Sequence, residues 1–134
     1  MPVIKSVHHI AVVVDDMEKS LAFWRDALGI ALHELRDVPA ENSQVAFLPL
    51  AGAEVELVMP TSDDSGIAKY LAKRGPGMHH ICLEVDDIDG MLVQLKDKSI
   101  RLINEQPRLA EDGRKYAFIH PESTGGALVE LYQL

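Results

Sequence analysis

Residues 7–28 read VHHIAVVVDDMEKSLAFWRDAL, and residues 78–99 read MHHICLEVDDIDGMLVQLKDKS. At an offset of 71 positions, eight residues of the first stretch meet an identical residue in the second: His8, His9, Ile10, Val14, Asp15, Asp16, Leu21 and Asp26. Downstream, Ala46-Phe47 matches Ala117-Phe118 at the same offset, and Val55-Glu56-Leu57 matches Val129-Glu130-Leu131 at an offset of 74. The repeat predicts two similar modules, each with a His near its start and a Glu near its end.

Both halves show the same order of predicted elements, β-α-β-β-β. Apolar runs and alternating patterns predict strands at 3–14, 30–35, 45–50, 54–59, 79–85, 100–103, 115–120 and 127–132. A helix follows the first strand of each half, and we expect Asp15 or Asp16 to cap one and Asp86 or Asp87 the other. The sequence therefore predicts an α+β fold in one domain, 1–134, with modules at about 3–60 and 78–134.

The segment 61–77 is predicted to be a helical linker between the modules. Ser62-Asp63-Asp64 is a capping signal, and Gly75-Pro76-Gly77 ends the apolar pattern that follows it. The segment 107–114 is polar, contains a glycine and shows no period, so it is predicted to be a loop.

Composition narrows the class of partner. The chain has 134 residues, a net charge of −8 and a single cysteine, Cys82. The negative charge argues against nucleic acid or an anionic membrane as the main partner. No apolar run approaches the length of a membrane span, and we expect no leader peptide. A lone cysteine suits a reducing compartment, so we expect a cytoplasmic protein.

Four repeated residues are the candidate metal ligands: His9, Glu56, His80 and Glu130. Because neighbours on a strand point to opposite faces, only one His of each His-His pair faces inward. His9 and His80 are assigned to a cavity, and His8 with its repeat mate to the helix side. Both glutamates interrupt apolar strands, where a carboxylate needs a partner. Two imidazoles and two carboxylates suit Co²⁺, Mn²⁺, Ni²⁺, Zn²⁺ or Fe²⁺ better than Ca²⁺.

Two further groups have both a functional and an ordinary interpretation. Gly125-Gly126 precedes the last strand and would let a substrate approach the backbone, but a loop turn explains it equally well. Four basic residues could bind phosphates or simply face solvent: Lys73, Arg74, Arg114 and Lys115.

The chain resembles the vicinal oxygen chelate superfamily, the glyoxalase and bleomycin-resistance group, and within it the acyl-CoA epimerases. The stretches that carry the resemblance are VHHIAVVVDDMEKSLAFW, EVELVMP, GMHHICLEVDDI and FIHPESTGGALVELYQL. The resemblance implies paired modules that form a curved, eight-stranded, half-barrel cup around a metal. The family's ligands would fall on His9, Glu56, His80 and Glu130. It also implies a homodimer and an acyl-CoA substrate.

The activity implied is interconversion of the two epimers of methylmalonyl-CoA by proton abstraction at C2, through an enediolate. The resemblance implies a divalent metal cofactor, with Co²⁺ preferred over Mn²⁺, Ni²⁺ or Zn²⁺, and Glu130 as one catalytic acid/base. The second carboxylate of some family members falls at Val45, so this chain departs from that pattern. Glu41, Gln44 or a metal-bound water could take its place.

Three other activities share the superfamily fold. A glyoxalase I, which is a lactoylglutathione lyase, can use the same ligand set on a different thiol-derived substrate. A ring-cleaving dioxygenase would use a His/His/Glu triad in a longer chain. A metal-free small-molecule-binding relative would have no use for four repeated ligands, so metal analysis separates it from the enzymes.

Overall fold

The computed structural model describes all residues 1–134, which form eight strands and three α-helices and confirm the predicted α+β class. The strands are β1 (Ile4–Val13), β2 (Glu34–Val38), β3 (Ser43–Leu50), β4 (Ala53–Pro60), β5 (Gly77–Val85), β6 (Arg108–Leu109), β7 (Lys115–Ile119) and β8 (Val129–Gln133). The helices are α1 (Met17–Leu21), extended by a π-helical segment Ala22–Ala27, α2 (Gly66–Arg74) and α3 (Ile88–Asp97). None of these helices has the length and apolar character needed to cross a bilayer.

The residues divide into two compact units. We call Ile10–His79 the internal unit, and Met1–His9 together with His80–Leu134 the terminal unit. The division cuts both first strands of the repeat, β1 and β5, immediately beside a candidate ligand. The module boundaries at 3–60 and 78–134 remain a prediction.

In the internal unit the strands are ordered β2-β3-β4-β1, with β2, β3 and β4 antiparallel. One face of this arrangement packs on the first helix through a buried apolar cluster: Val14, Met17, Leu21, Ala46, Leu48, Val55 and Leu57. Asp16 caps the helix, since its carboxylate accepts from the Lys19 N–H at 3.1 Å. This choice settles the predicted alternative between Asp15 and Asp16.

In the terminal unit the strands are ordered β5-β8-β7-β6, and β8 lies parallel to β5 and antiparallel to β7. Its buried cluster repeats the internal one with α3 in place of α1: Val85, Ile88, Met91, Leu92, Ala117, Ile119 and Leu131. Asp87 caps α3 by accepting from the Gly90 N–H at 3.0 Å. α1 and α3 therefore each pack on one face of the strands in their own unit.

Four predicted features are placed differently. The strand expected at 30–35 forms four residues later, at Glu34–Val38, and the one expected at 100–103 is reduced to a single bridge between Leu102 and Ile119. A short strand forms instead at Arg108–Leu109, inside the predicted loop. The linker helix is capped by Ser65, which follows the predicted capping signal. Each shift lies where the apolar pattern is short.

Candidate functional site

Three of the four predicted ligands meet in the terminal unit. The Nε2 atoms of His9 and His80 are 3.2 Å apart. One carboxylate oxygen of Glu130, Oε1, lies 3.4 Å from His9 Nε2 and 3.1 Å from His80 Nε2. Two ring nitrogens and one carboxylate oxygen thus face one another at nearly equal separations.

Strand register explains this convergence. On β5, His80 and Cys82 are two residues apart and share a face, since side chains alternate along a strand. Cys82 pairs across the parallel ladder with Glu130, which pairs on its other side with Phe118 of β7. Glu130 therefore projects from a strand flanked on both sides, on the same face as His80 and away from the apolar cluster.

Glu130 is almost completely buried, with a residue exposure of 8%. Burial alone would raise the pKa of a carboxyl group, because it disfavours the charged form. Hydrogen bonds and charge interactions with His80 and His9 outweigh this and hold the pKa of Glu130 at about 2, below the ordinary 4.5. At neutral pH the residue is therefore a carboxylate that offers lone pairs to a proton donor or a cation.

The three donor atoms fit a divalent transition metal. Typical metal–ligand bonds of about 2.0–2.2 Å place neighbouring ligands at roughly 3.0–3.4 Å from one another. The three observed separations, 3.1, 3.2 and 3.4 Å, lie in that range. Imidazole nitrogens with a carboxylate oxygen form a mixed donor set that suits Zn²⁺, Co²⁺, Mn²⁺ or Ni²⁺.

The fourth predicted ligand, Glu56, lies in the internal unit. It is on β4 opposite Phe47 of β3, between the buried residues Val55 and Leu57. Because Val55 and Leu57 pack on the helix, alternation turns Glu56 to the opposite face of its strand. Its assignment as a ligand remains a prediction.

His8 is not beneath the helix layer as the alternating pattern predicted. Its Nδ1 atom lies 2.8 Å from the Nδ1 atom of His9, and its ring packs edge-on against Tyr132 of β8 at 5.0 Å. Burial and the neighbouring His9 lower the pKa of His8. The prediction was wrong because alternation fixes only the direction in which a side chain leaves the strand, whereas these two adjacent rings are long enough for their Nδ1 atoms to meet.

A second group of potential ligands shares His9. The side-chain donor atoms of His8, His9 and Cys82 all lie within 4.8 Å of one another. Cys82 is fully buried. The two ring nitrogens of His9 thus face two different surroundings, since Nε2 faces His80 and Glu130 and Nδ1 faces His8.

Two aromatic residues that the sequence analysis did not assign to the site border it. Phe118 packs edge-on against the His80 ring at 5.5 Å, and Tyr132 lies 6.4 Å from the His9 ring. Strand register places both residues beside the site. Phe118 is the cross-strand partner of Glu130, and Tyr132 follows Glu130 by two positions on the same strand. Both residues therefore share the face of the strands that carries Glu130, and the register of β7 and β8 is the signal that predicts their place at the site.

The predicted phosphate-binding residues differ in their surroundings. Arg114 pairs with Asp112 at 3.1 Å, and Lys115 with Asp89 at 3.0 Å, so each has an acidic neighbour at the surface. Lys73 and Arg74 lie together in the last turn of α2. The predicted patch thus divides into two ion-paired residues and two that end a helix.

The position expected to carry a second acid/base is apolar and buried. Val45 lies on β3 between Arg36 and Val58, with an exposure of 6%. The two side-chain candidates lie nearby in the sequence. Glu41 ends a short 3₁₀ segment, and Gln44 donates to Asp37 at 3.4 Å.

Known proteins with similar sequences belong to one superfamily. The sequence profile of the Glyoxalase/Bleomycin resistance protein/Dioxygenase superfamily matches residues 8–118, and the chain belongs to this superfamily. It is 40% identical to mitochondrial methylmalonyl-CoA epimerase of Bos taurus over 128 residues, which cover 95% of this chain and 73% of the relative. It is 35% identical to the ethylmalonyl-CoA/methylmalonyl-CoA epimerase of Cereibacter sphaeroides, covering 96% and 97% of the two chains.

The similarity extends to solved structures. Methylmalonyl-CoA epimerase in complex with methylmalonyl-CoA and NH4+ superposes with a TM-score of 0.85 at 28% identity, covering 98% of this chain and 95% of that one. The probable lactoylglutathione lyase of Synechocystis is more distant, at 30% identity over 125 residues, which cover 93% of this chain and 92% of the relative. The nearer relatives named here are epimerases.

Proposed function

We propose that this protein is a methylmalonyl-CoA epimerase that interconverts the (R) and (S) epimers by proton transfer at C2. The observation that carries the proposal is the convergence of the side chains of His9, His80 and Glu130 in a chain 40% identical to such an epimerase. C2 of this substrate lies between a carboxylate and a thioester. A site that removes its proton must therefore stabilise negative charge on neighbouring oxygen atoms.

Glu130 is proposed to take the C2 proton. The electron pair of the C–H bond then passes to the thioester oxygen and gives an enediolate, and the proton resides on the Glu130 carboxyl group. Return of a proton to the same face restores the starting epimer, whereas delivery to the opposite face inverts it. The second donor is proposed to be Glu41 or a water molecule, since Val45 has no proton to give and the amide of Gln44 is not an acid.

The weak basicity of a carboxylate sets a condition on this step. A carboxylate removes a proton from carbon only slowly, so C2 must become more acidic at the site. A divalent cation held by His9, His80 and Glu130, with Glu56 as the proposed fourth ligand, would supply Lewis-acid stabilisation of the oxygen charge. The histidines also hold the Glu130 carboxylate in one orientation, which reduces the entropy lost on reaction.

Deuterium exchange tests the reaction class directly. Incubation of the metal-loaded protein with one epimer of methylmalonyl-CoA in D₂O is expected to replace the C2 proton with deuterium and to produce the other epimer. The C2 proton signal and its neighbouring methyl signal report exchange by NMR, and a stereospecific coupling enzyme reports inversion. Metal binding without any C2 exchange would contradict the proposal.

Metal removal gives a second expected outcome. Exhaustive chelation should abolish epimerisation, and Co²⁺ should restore it, because proton removal by a weak base needs the Lewis acid. The control is a parallel dialysis without chelator, followed by far-UV circular dichroism of both samples. Full activity in a sample free of metal by elemental analysis would end the proposal of a metal-dependent reaction.

The finer assignments follow the same reasoning. We propose Co²⁺ as the preferred ion, a homodimer as the assembly and the cytoplasm as the compartment. The mixed imidazole and carboxylate donors support a transition metal, and the superfamily analogy supports the dimer. The single buried Cys82, which can form no intrachain disulfide, supports a reducing compartment.

Lactoylglutathione lyase is the second candidate function. It is favoured by the 30% identity to the probable enzyme of Synechocystis and by a ligand set that both reactions can use. The hemithioacetal of methylglyoxal and glutathione is therefore the matched control substrate. We expect C2 exchange with methylmalonyl-CoA and no thioester formation from the hemithioacetal.

A further inference from the structure

We infer that His8 is a positioning residue that fixes the tautomer and the orientation of the ligand His9. The inference rests on the proposed metal site and deepens it, since it names the group that presents one imidazole to the cation. It follows from the contact between the two adjacent imidazoles, which the alternating strand pattern did not predict.

The 2.8 Å distance between the Nδ1 atoms of His8 and His9 requires that one of them donates and the other accepts. A neutral imidazole has one N–H and one nitrogen with a free lone pair. His9 can offer Nε2 to a cation only if its proton is on Nδ1. The Nδ1–H of His9 then donates to Nδ1 of His8, and the proton of His8 is on Nε2.

The acceptor is held in place by its own surroundings. The His8 ring packs edge-on against Tyr132, with an interplanar angle of 66°. The guanidinium of Arg114 lies 5.7 Å from the Tyr132 ring centre on its face and is paired with Asp112. These contacts restrict rotation of the His8 ring, so the hydrogen bond to His9 constrains the direction of Nε2.

Partners of this kind are general among metal-binding histidines. The second ring nitrogen of such a ligand usually donates to an acceptor outside the coordination sphere, and loss of that acceptor typically costs about 10–100-fold in metal affinity. Here the acceptor is a neighbouring imidazole on the same strand. The metal affinity contributed by His9 therefore depends on His8 as well.

The test compares His8→Leu with His8→Asn. Leucine removes the acceptor, whereas the asparagine carbonyl oxygen stands near the position of the histidine Nδ1 atom and can accept from His9. Zn²⁺ affinity, measured by competition with a chromophoric chelator, is expected to fall about 10–100-fold in His8→Leu and to recover largely in His8→Asn. The control His120→Asn removes an imidazole that caps a 3₁₀ segment in the same unit and should bind as the original protein does.

Long-range ¹H–¹⁵N correlation spectra of the Zn²⁺-loaded proteins supply a readout that does not depend on activity. His9 is expected to show the Nδ1–H tautomer in the original protein and in His8→Asn. His9 in His8→Leu should lose the protected Nδ1–H signal. Circular dichroism of all the variants separates this effect from a loss of folding.

Three outcomes would overturn the inference. Equal Zn²⁺ affinity in the original protein and His8→Leu would exclude the positioning role of His8 and leave the proposed metal site unaffected. A Co²⁺-loaded protein with a thiolate charge-transfer band would place the ion at Cys82 and give His8 the role of a ligand. Failure of the original protein to bind either ion would overturn the metal site and the positioning role together.

Discussion

Replacing His80 with alanine is expected to abolish tight metal binding and to reduce kcat/KM for epimerisation by about 10³-fold or more, while the fold is retained. Removal of a single group that stabilises developing charge typically lowers kcat by about 10²–10³-fold. The substitution His80→Ala also removes one ligand of the proposed metal ion. His80 Nε2 lies 3.1 Å from Glu130, closer than His9 does. The substitution therefore also deprives the carboxylate of its nearer partner.

The fold should survive because His80 belongs to neither apolar cluster. Its ring contacts Phe118 and the two other site residues, and the buried cluster of the terminal unit lies on the opposite face of the strands. Elemental analysis measures the bound metal, and thermal unfolding followed by circular dichroism measures stability. The matched control is His33→Ala, which removes an exposed imidazole. A His80→Ala chain that does not fold would instead assign the residue a structural role.

The repeat predicted most of the fold because it repeats physical constraints. A strand followed by a short carboxylate and an apolar helical pattern occurs in both halves, and in both the second aspartate caps the helix. The predicted strands at 30–35 and 100–103 were less accurate because no period or capping residue fixes their ends. Their registers are set by pairing with other strands, β2 with β3 and Leu102 with Ile119, rather than by their own sequence.

The candidate site shows a similar division. The positions of His9, His80 and Glu130 were predictable because they follow the repeat and alternate with apolar residues. The contact between His8 and His9 was not predictable, because alternation gives the direction in which each side chain leaves the strand but not the position of the ring at its end. Phe118 and Tyr132 join the site through cross-strand register, which the repeat and the alternation of apolar residues do not specify. Glu56 remains a predicted ligand from the same repeat, in the internal unit.

Replacing Glu130 with glutamine separates the two roles proposed for this residue. Glutamine retains an oxygen at the Oε1 position, so some metal should remain bound, but its amide cannot take a proton. We expect kcat and the rate of C2 deuterium exchange to fall about 10²–10⁴-fold, the usual contribution of a general acid or base. Glu105→Gln, which alters an exposed carboxylate in the same unit, is the matched control and should leave both rates unchanged.

The ratio of activity to bound metal in Glu130→Gln shows whether Glu130 acts as a ligand only or also as the base. If metal content and activity fall together and saturating Co²⁺ restores the rate, Glu130 is a ligand only and the base lies elsewhere. A large loss that persists when the site is saturated with Co²⁺ supports proton transfer by Glu130 itself. The distinction is necessary because a carboxylate suits a cation ligand well and acts as a base only when C2 has been made more acidic. Near-normal exchange in a fully loaded Glu130→Gln protein would remove the residue from the proton pathway.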